Sequence, residues 1–261
     1  MGLAREYPHG TFCWIELGTP DLAAAKVFYT RLFDWTYEDV PAGGEPYTIA
    51  KRDGVDVGGL DGHRPEEGYG WQSYLAVHDL PSVLDKAREL GATVLPHAGD
   101  LPVASRFAIL RDPTGAEVTL WENEGGYHGA RLVNEVGTWS WNELVTADLK
   151  AATTFYEGLF GWTSQPVGGP DMERVSFRLG ERLVAGGHAP TGTERHDPRW
   201  DIAFRVSDVD AAVAVVQQLG GRVVMPAIDV PIGRFAIIAD HEGATSTLSS
   251  FAQPVAGADG S

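Results

Sequence analysis

The sequence lacks three features that would place it in a common class: cysteine pairs, long apolar runs and an excess of positive charge. Cys13 is the only cysteine in 261 residues, which excludes an intrachain disulfide and a thiolate-rich zinc or iron–sulfur site. No stretch approaches the roughly 18 apolar residues that span a bilayer, and residues 1–10 contain no apolar signal segment. We therefore expect a cytoplasmic protein that does not enter a membrane.

Charge and composition narrow the class of partner. The chain has 20 basic against 36 acidic residues, a net charge of −16. The resulting field repels phosphate backbones and anionic membrane surfaces, so we expect neither nucleic acid nor membrane as a partner. Hydrophobic residues make up 43% of the chain and charged residues 21%, values typical of a globular protein with a real core. Its length suits two domains of ordinary size.

An internal repeat is the main signal in the sequence. Residues 14–35, WIELGTPDLAAAKVFYTRLFDW, align without a gap to residues 141–162, WNELVTADLKAATTFYEGLFGW, at an offset of 127. The segment RFAILRDPTGAEVTL, which begins at Arg106, is echoed by RFAIIADHEGATSTL, which begins at Arg234. A third block, near Gly70 and Arg199, repeats in the same order. The pattern indicates a duplication.

Each half also divides into two shorter modules. In the first, Phe12–Gly18 predicts a strand, Asp21 caps a helix that runs through Phe33, and strand-like pieces follow over Tyr47–Leu60. The next module is predicted as a strand at 71–78, a helix from Asp79 to Gly91, and strands at 93–95, 107–110 and 117–121. We predict an α+β fold of four βαβββ modules, with domains at 8–123 and 135–252, a linker at 123–135 and a frayed tail at 253–261.

The repeated motifs carry a family resemblance. They are the helix doublets Phe28-Tyr29 and Leu32-Phe33, their counterparts Phe155-Tyr156 and Leu159-Phe160, and the turns Asp112-Pro113-Thr114-Gly115 and Asp240-His241-Glu242-Gly243. With the duplicated βαβββ order, the chain resembles a tandem vicinal-oxygen-chelate protein of the glyoxalase, bleomycin-resistance and extradiol dioxygenase superfamily. The resemblance implies that each domain's sheet curls around a concave hollow and packs its helices outside.

Strand alternation then sorts side chains between the two faces of each sheet. We call the hollow of the first domain the first hollow, and we expect it to be lined by Phe12, Trp14, Glu16, Gln72, Tyr74, Thr119 and Trp121. The residues expected in the second hollow are Trp139, Trp141, Glu143, Asp201, Ala203, Thr247 and Ser249. Ala203 and Ser249 replace Tyr74 and Trp121, so the second hollow should be roomier and more polar, or closed by other residues.

Enzymes of this family hold a divalent ion through His, Gln or Glu on the opening strand of a module and Glu on its closing strand. By the resemblance, those places fall here on Trp14, Gln72, Thr119, Trp141, Asp201 and Thr247. An indole offers no lone pair to a metal, and a threonine hydroxyl is a poor neutral ligand. His63, His97, His128, His188 and His196 fall in predicted loops or turns. We therefore expect no metal and no other cofactor.

An aromatic hollow with a few polar points suits a flat, largely apolar ligand. The alternative is that Trp14 and Trp141 simply fill the hollows as core. Glu16 and Glu143 are the candidates for a general acid or base, because an apolar surround raises the pKa of a carboxyl group. Arg106 and Arg234 are candidates to meet an anionic or phenolate group at the pocket edge, with pairing to nearby carboxylates as the alternative.

These features favour binding or tailoring of a small aromatic or apolar molecule, in antibiotic biosynthesis or in self-resistance. The 16 arginines against 4 lysines, typical of GC-rich bacterial genomes, agree with such a role. The alternative function is that of a metal-dependent lyase, isomerase or dioxygenase of the glyoxalase type. A third is a scaffold that only pairs with partners. The sequence leaves open whether the protein is a monomer or a homodimer.

Overall fold

The computed structural model of the chain describes residues 6–41, 46–62, 69–96, 105–123, 129–167, 173–191 and 196–251. The first half contains β1 (Phe12–Gly18), α1 (Leu22–Phe33), β2 (Thr36–Val40), β3 (Tyr47–Arg52), β4 (Val55–Asp61), β5 (Gly70–Val77), α2 (Leu80–Glu89), β6 (Thr93–Leu95), β7 (Ser105–Arg111) and β8 (Glu117–Asn123). The second half contains β9 (Trp139–Val145), α3 (Leu149–Phe160), β10 (Thr163–Pro166), β11 (Arg174–Leu179), β12 (Arg182–His188), β13 (Arg199–Arg205), α4 (Val209–Gln218), β14 (Arg222–Val230), β15 (Gly233–Ala239) and β16 (Thr245–Ser249).

Each half forms one eight-stranded sheet. The strand order is β2-β3-β4-β1-β5-β8-β7-β6 in the first sheet and β10-β11-β12-β9-β13-β16-β15-β14 in the second. The opening strands β1 and β5 lie side by side at the centre and run antiparallel, and each pairs in parallel with the closing strand of its own module. The α+β fold of four βαβββ modules is therefore confirmed, although β2 and β10 lie in segments where no strand was predicted.

An aspartate begins each helix, as the repeat predicts. The side chains of Asp21, Asp79, Asp148 and Asp208 each accept a hydrogen bond from the backbone amide three residues later. These bonds satisfy an N–H group that the first helical turn leaves without an intrahelical partner. Within the described part of the chain, no helix is long and apolar enough to cross a membrane.

The two halves contact each other through a duplicated hydrogen-bonded chain. Trp71 Nε1 donates to Tyr29 Oη at 3.1 Å, and Tyr29 Oη donates to Asp240 Oδ2 of the other half at 2.8 Å. The mirrored chain consists of Trp200, Tyr156 and Asp112, at 2.9 and 3.0 Å. We name each set a Trp–Tyr–Asp clasp. Helix α1 also packs beside α4, and α2 beside α3, so the contact has an internal two-fold character.

The clasp explains the aspartate that opens the turn before each closing strand. Asp112 Oδ1 accepts the backbone amides of residues 114, 115 and 116, while its other oxygen accepts the tyrosine hydroxyl from the opposite half. Asp240 makes the equivalent bonds. One carboxylate thus both shapes the turn and joins the domains, and the family motif has a structural role in this chain.

Candidate functional site

A bulge in β1 decides which aromatic residues reach the first hollow. Phe12 lies opposite Leu75 while Trp14 lies opposite Tyr74, so one extra residue on β1 breaks the alternation. Phe12 therefore points away from the hollow, and its ring lies 4.9 Å from Trp200 in the other half. The prediction that Phe12 lines the hollow is wrong, because strict period-two alternation does not hold across a bulge.

The same bulge recurs in β9. Trp141 lies opposite Ala203 but Trp139 lies opposite Phe204, which puts Trp139 on the face turned toward the first domain. The ring of Phe204 lies 5.0 Å from Trp71 of that domain. Trp139 is fully buried and donates its indole N–H to the carbonyl of Trp141 at 3.1 Å. The prediction that Trp139 lines the second hollow is therefore wrong for the same reason.

Glu16 lies in a hydrogen-bonded network in the first hollow. Glu16 is only 1% exposed. Its two carboxylate oxygens accept hydrogen bonds from the hydroxyls of Tyr47 at 2.7 Å and Tyr74 at 2.9 Å. Trp14 Nε1 donates to Tyr47 Oη at 3.0 Å. Burial, and then the charge of Glu16, raise the pKa of Tyr47 well above its ordinary value. Tyr47 therefore stays protonated, and its hydroxyl donates a hydrogen bond to the carboxylate.

Aromatic rings pack around this network in the first hollow. Trp121 lies edge-on to Trp14, at 6.3 Å between ring centroids, and to Tyr74, at 6.2 Å. All three rings, and Thr119 beside them, are buried. The alternative that Trp14 fills the hollow as core therefore describes this domain better than an aromatic-lined binding site.

Glu143 occupies the equivalent place in the second hollow but has charged partners. Trp141 Nε1 donates to its Oε2 at 2.7 Å, and Arg174 Nη2 donates to its Oε1 at 2.8 Å. His188 Nδ1 lies 3.0 Å from the same Oε1. The Glu143 side chain is 15% exposed. We name Glu143, Arg174 and His188 the acid–base cluster.

The cluster fixes the protonation of Glu143. Burial acts to raise the pKa of this carboxyl, but the hydrogen bond from His188 and the charge of Arg174 outweigh it, so the pKa lies below its ordinary value. The expectation of a raised carboxyl pKa is therefore wrong at Glu143. The group is a carboxylate at neutral pH and is suited to orienting a base rather than to donating a proton.

The remainder of the second hollow is more open than the first. Ala203 faces Thr247 across β13 and β16, and on β15 Ile237 lies opposite Thr247 and Phe235 opposite Ser249. Phe235 and Ile237 are half-buried, whereas their counterparts Phe107 and Ile109 in the first domain are buried. Ile228, opposite Phe235, is 42% exposed. The second hollow thus presents accessible apolar surface beside the acid–base cluster.

Three predicted binding residues also line a cavity at the junction of the domains. Gln72, Thr119 and Asp201 line a cavity of about 290 Å³ whose walls include Trp71 and Trp200 of the two clasps. Asp201 Oδ1 accepts a hydrogen bond from Arg199 Nε at 2.9 Å. Gln72 lies opposite Glu16, and Asp201 opposite Glu143, so the cavity lies beside both hollows.

Arg106 and Arg234 lie on the opposite face of their sheets. Phe235 faces the second hollow, so the preceding residue, Arg234, faces the helix side, where it pairs with Asp210 and Asp229 at 3.0 Å. Arg106 pairs with Glu122 at 2.8 Å. The prediction that these arginines meet a ligand at a pocket edge is wrong, and the alternative of pairing with carboxylates is confirmed.

The residues present do not fit the divalent ion that the family implies. Trp14 and Thr119 stand at two of its ligand places in the first domain, and Trp141 and Thr247 at two in the second. The glutamate oxygens are already bound by hydroxyl, indole or guanidinium donors. Within the described ranges, no group of three or more His, Cys, Asp or Glu side chains is placed to hold a metal.

Sequence reasoning missed Tyr47, Arg174 and His188. Tyr47 and Arg174 are equivalent at the repeat offset of 127, but their strands are not among the aligned blocks. His188 ends β12 rather than lying in a loop. One sequence signal for these residues was a glycine at the same place in each half, Gly59 and Gly186, which leaves room for a neighbouring polar side chain. A Cβ at Gly59 would collide with the Tyr47 hydroxyl, and one at Gly186 with the Glu143 carboxylate.

Comparison with known proteins agrees with this architecture. A model described as "Glyoxalase-like domain" matches residues 14–121, and one described as "Glyoxalase/Bleomycin resistance protein/Dioxygenase superfamily" matches residues 138–246. CFP32 of Mycobacterium bovis, which bears the provisional name glyoxylase, is 39% identical over 94% of this chain and 96% of its own. The anthracycline biosynthesis protein DnrV of Streptomyces peucetius is 32% identical over 90% of this chain and 91% of its own.

Solved structures share the fold at low sequence identity. The Mn(II)-bound glyoxalase from Novosphingobium aromaticivorans superimposes with a TM-score of 0.59 at 13% identity, covering 98% of this chain and 85% of that one. With both halves matched by family models and with relatives above 30% identity along most of the chain, the protein belongs to the vicinal-oxygen-chelate superfamily of glyoxalases, bleomycin-resistance proteins and dioxygenases, as a tandem of two glyoxalase-like domains.

Proposed function

We propose that this protein binds a flat, largely aromatic small molecule in the second hollow, without a metal ion. Its role would lie in antibiotic biosynthesis, as a tailoring or accessory protein, or in self-resistance. The observation that carries the proposal is the replacement of Tyr74 and Trp121, which fill the first hollow, by Ala203 and Ser249 in the second. A cytoplasmic location stays a prediction.

The surface of the second hollow suits such a ligand. Trp141 supplies an indole wall, while Phe235 and Ile237 supply half-buried apolar surface on the other side. Rigid aromatic and apolar walls bind fused rings at low entropic cost, and a few fixed polar groups set the orientation. The acid–base cluster, held by direct hydrogen bonds, supplies those polar groups.

The relatives support the same class of ligand. DnrV of Streptomyces peucetius and DauV of a Streptomyces species are both named anthracycline biosynthesis proteins, and each matches 90% of this chain. Anthracyclines are fused-ring aromatic compounds. The name of CFP32 instead suggests glyoxalase chemistry, but the indole and threonine side chains at the family's ligand places argue against a bound divalent ion here.

The proposal can be tested with 9,10-anthraquinone, a flat aromatic compound with no ionisable group. Quenching of tryptophan fluorescence should report saturable binding that survives treatment with EDTA. Ala203→Tyr places in the second hollow the side chain that fills the first, and it should weaken binding at least tenfold. Ala214→Tyr, the same substitution at an exposed position of α4, is the matched control and should bind as the wild type does.

Two results would overturn the proposal. Binding that disappears with EDTA and returns with Mn²⁺ would favour the metal-dependent alternative. Equal binding by Ala203→Tyr, with its fold verified by circular dichroism, would show that the second hollow is not the site. Ala203→Leu adds a smaller side chain and should give an intermediate loss, which keeps the test usable if the tyrosine variant does not fold.

A further inference from the structure

The acid–base cluster contains a histidine whose orientation is fixed by a carboxylate. Glu143 lies on β9 and His188 at the end of β12, and the parallel register of these strands puts both side chains on the hollow face. His188 Nδ1 lies 3.0 Å from Glu143 Oε1, and the His188 side chain is 20% exposed. A carboxylate bound to one ring nitrogen fixes the tautomer and orientation of an imidazole.

The protonation states follow from the partners of Glu143. Arg174 and Trp141 both donate to this group, which keeps it a carboxylate, an acceptor only. The proton between Glu143 and a neutral His188 therefore resides on Nδ1. Nε2 carries the lone pair and is the basic nitrogen of the pair, as in other carboxylate–histidine arrangements that accept protons.

Arg174 adds a positive charge that a ligand can reach. Its Nη2 donates to Glu143 at 2.8 Å, and the side chain is 41% exposed. A guanidinium has five N–H donors in a planar fork, so one bond to Glu143 leaves others for an anionic oxygen. Within the described strand β13, Arg199 and Asp201 also carry charges on this face, and they pair with each other at 2.9 Å.

The described residues of the first hollow are arranged differently. At the repeat offset, Tyr47 stands in place of Arg174 and Asp61 in place of His188. Tyr47 is a neutral donor that satisfies the buried Glu16. Among the residues that the structure describes, a histidine beside a guanidinium thus occurs at this place in the second hollow, the one with accessible apolar surface.

We propose that the second hollow recognises a hydroxylated fused aromatic molecule by taking the proton of its phenol or enol hydroxyl. The ligand's O–H bond breaks, an N–H bond forms at His188 Nε2, and the electron pair stays on the ligand oxygen. The resulting imidazolium is balanced by Glu143, and the phenolate by Arg174. This inference rests on the proposed function and adds the chemical group by which the ligand is recognised.

A pair of dyes tests the inference. 1,2-Dihydroxyanthraquinone changes its visible absorption when a hydroxyl ionises, whereas 9,10-anthraquinone has no hydroxyl. Bound to the wild-type protein, the hydroxylated dye should show the phenolate spectrum at a pH where the free dye is mostly neutral, with its ionised fraction raised at least tenfold. It should also bind at least tenfold more tightly than anthraquinone.

Variants assign the effect to particular groups. His188→Gln should bind the neutral dye and lose the phenolate spectrum, and Arg174→Met should lose most of it. Arg178→Met is the matched control: Arg178 lies on the same strand but donates to the carbonyl of Glu181, so this variant should keep the wild-type spectrum.

The outcomes separate the two proposals. If both dyes bind equally and no phenolate forms, the recognition of an ionised hydroxyl is wrong while binding of flat aromatics stands. If neither dye binds, the proposed function itself fails, and this inference with it. A phenolate spectrum that persists in a correctly folded His188→Gln, and also in His188→Asn, would show that His188 is not the proton acceptor.

Discussion

The two hollows of this protein contain the same glutamate in opposite settings. Glu16 and Glu143 are equivalent in the repeat, and each lies beside an indole on the same strand. Glu16 is buried and accepts hydrogen bonds from two tyrosine hydroxyls. Glu143 is partly exposed and contacts a guanidinium and an imidazole. One position thus serves as a core hydrogen-bond acceptor in one domain and as part of a polar cluster in the other.

The comparison shows how a duplicated fold can divide its tasks. In the first hollow, satisfying a buried carboxylate requires two hydroxyl donors, and the aromatic rings that carry them occupy the space a ligand would need. In the second hollow, the donors to Glu143 include the charged Arg174 and the imidazole of His188, and the position of Tyr74 is taken by the small side chain of Ala203. Under the proposed function, the first domain would be the structural half and the second the binding half.

The two hollows should differ most in the loss of unfolding free energy when the glutamate of each is replaced. Glu16→Leu leaves two buried tyrosine hydroxyls without an acceptor and should lower the free energy of unfolding by about 3 kcal/mol. Glu143→Leu leaves partners that water can reach, and about 1 kcal/mol is expected after allowing for solvent screening. Urea denaturation followed by circular dichroism measures both. Equal losses would mean that the two hollows are equally closed.

Equivalent substitutions in the two Trp–Tyr–Asp clasps should lower stability equally, in contrast to those in the two hollows. Tyr29→Phe and Tyr156→Phe each remove one hydroxyl that both accepts from an indole and donates to an aspartate of the other half. Each substitution should cost about 2 kcal/mol, because two buried groups lose a partner. Thermal denaturation of the two variants checks this. A difference above about 1 kcal/mol between them would contradict the equivalence of the two contacts.

Much of the fold followed from the repeat, whereas much of the site did not. The duplicated aspartates mark the helix starts in all four modules, and the α+β architecture follows from their order. Phe12 and Trp139 were placed on the wrong face because a bulge changes strand parity without a marker in the local sequence. Hydrophobic pattern predicts which face is buried, but it does not show where a single residue is inserted.

The charge state of Glu143 was unpredictable for a different reason. Its determining partners, Arg174 and His188, lie 31 and 45 residues away along the chain. Sequence reasoning weighed only the apolar surround, which raises the pKa of a carboxyl, and could not supply the opposing charge that the fold brings near. The partly polar character of the second hollow was expected from Ala203 and Ser249, but the groups that cause it were not.

The paired glycines give a smaller and sharper comparison. Gly59→Ala would place a methyl group against the Tyr47 hydroxyl, and Gly186→Ala against the Glu143 carboxylate. In the packed first hollow the tyrosine has little room to shift, so about 2 kcal/mol of destabilisation is expected. Glu143 can move toward solvent, so the second substitution should cost under about 1 kcal/mol. Urea denaturation compares them, and the reverse order would contradict the difference in openness.

The smallest expected effect is a pH dependence confined to the second hollow. Because the pKa of Glu143 is lower in the folded chain than its ordinary value, its ionised form stabilises the fold above the unfolded pKa of about 4.3. That contribution is lost as the pH falls through the folded pKa. Wild type should therefore exceed Glu143→Gln in unfolding free energy at pH 6 by under about 1 kcal/mol, and the gap should close toward pH 3. Urea denaturation at several pH values measures the gap. A gap that stays constant or widens on acidification would mean that Arg174 and His188 do not hold Glu143 as a carboxylate. The contrast between hydroxyl donors at Glu16 and charged donors at Glu143 would then lose its electrostatic basis.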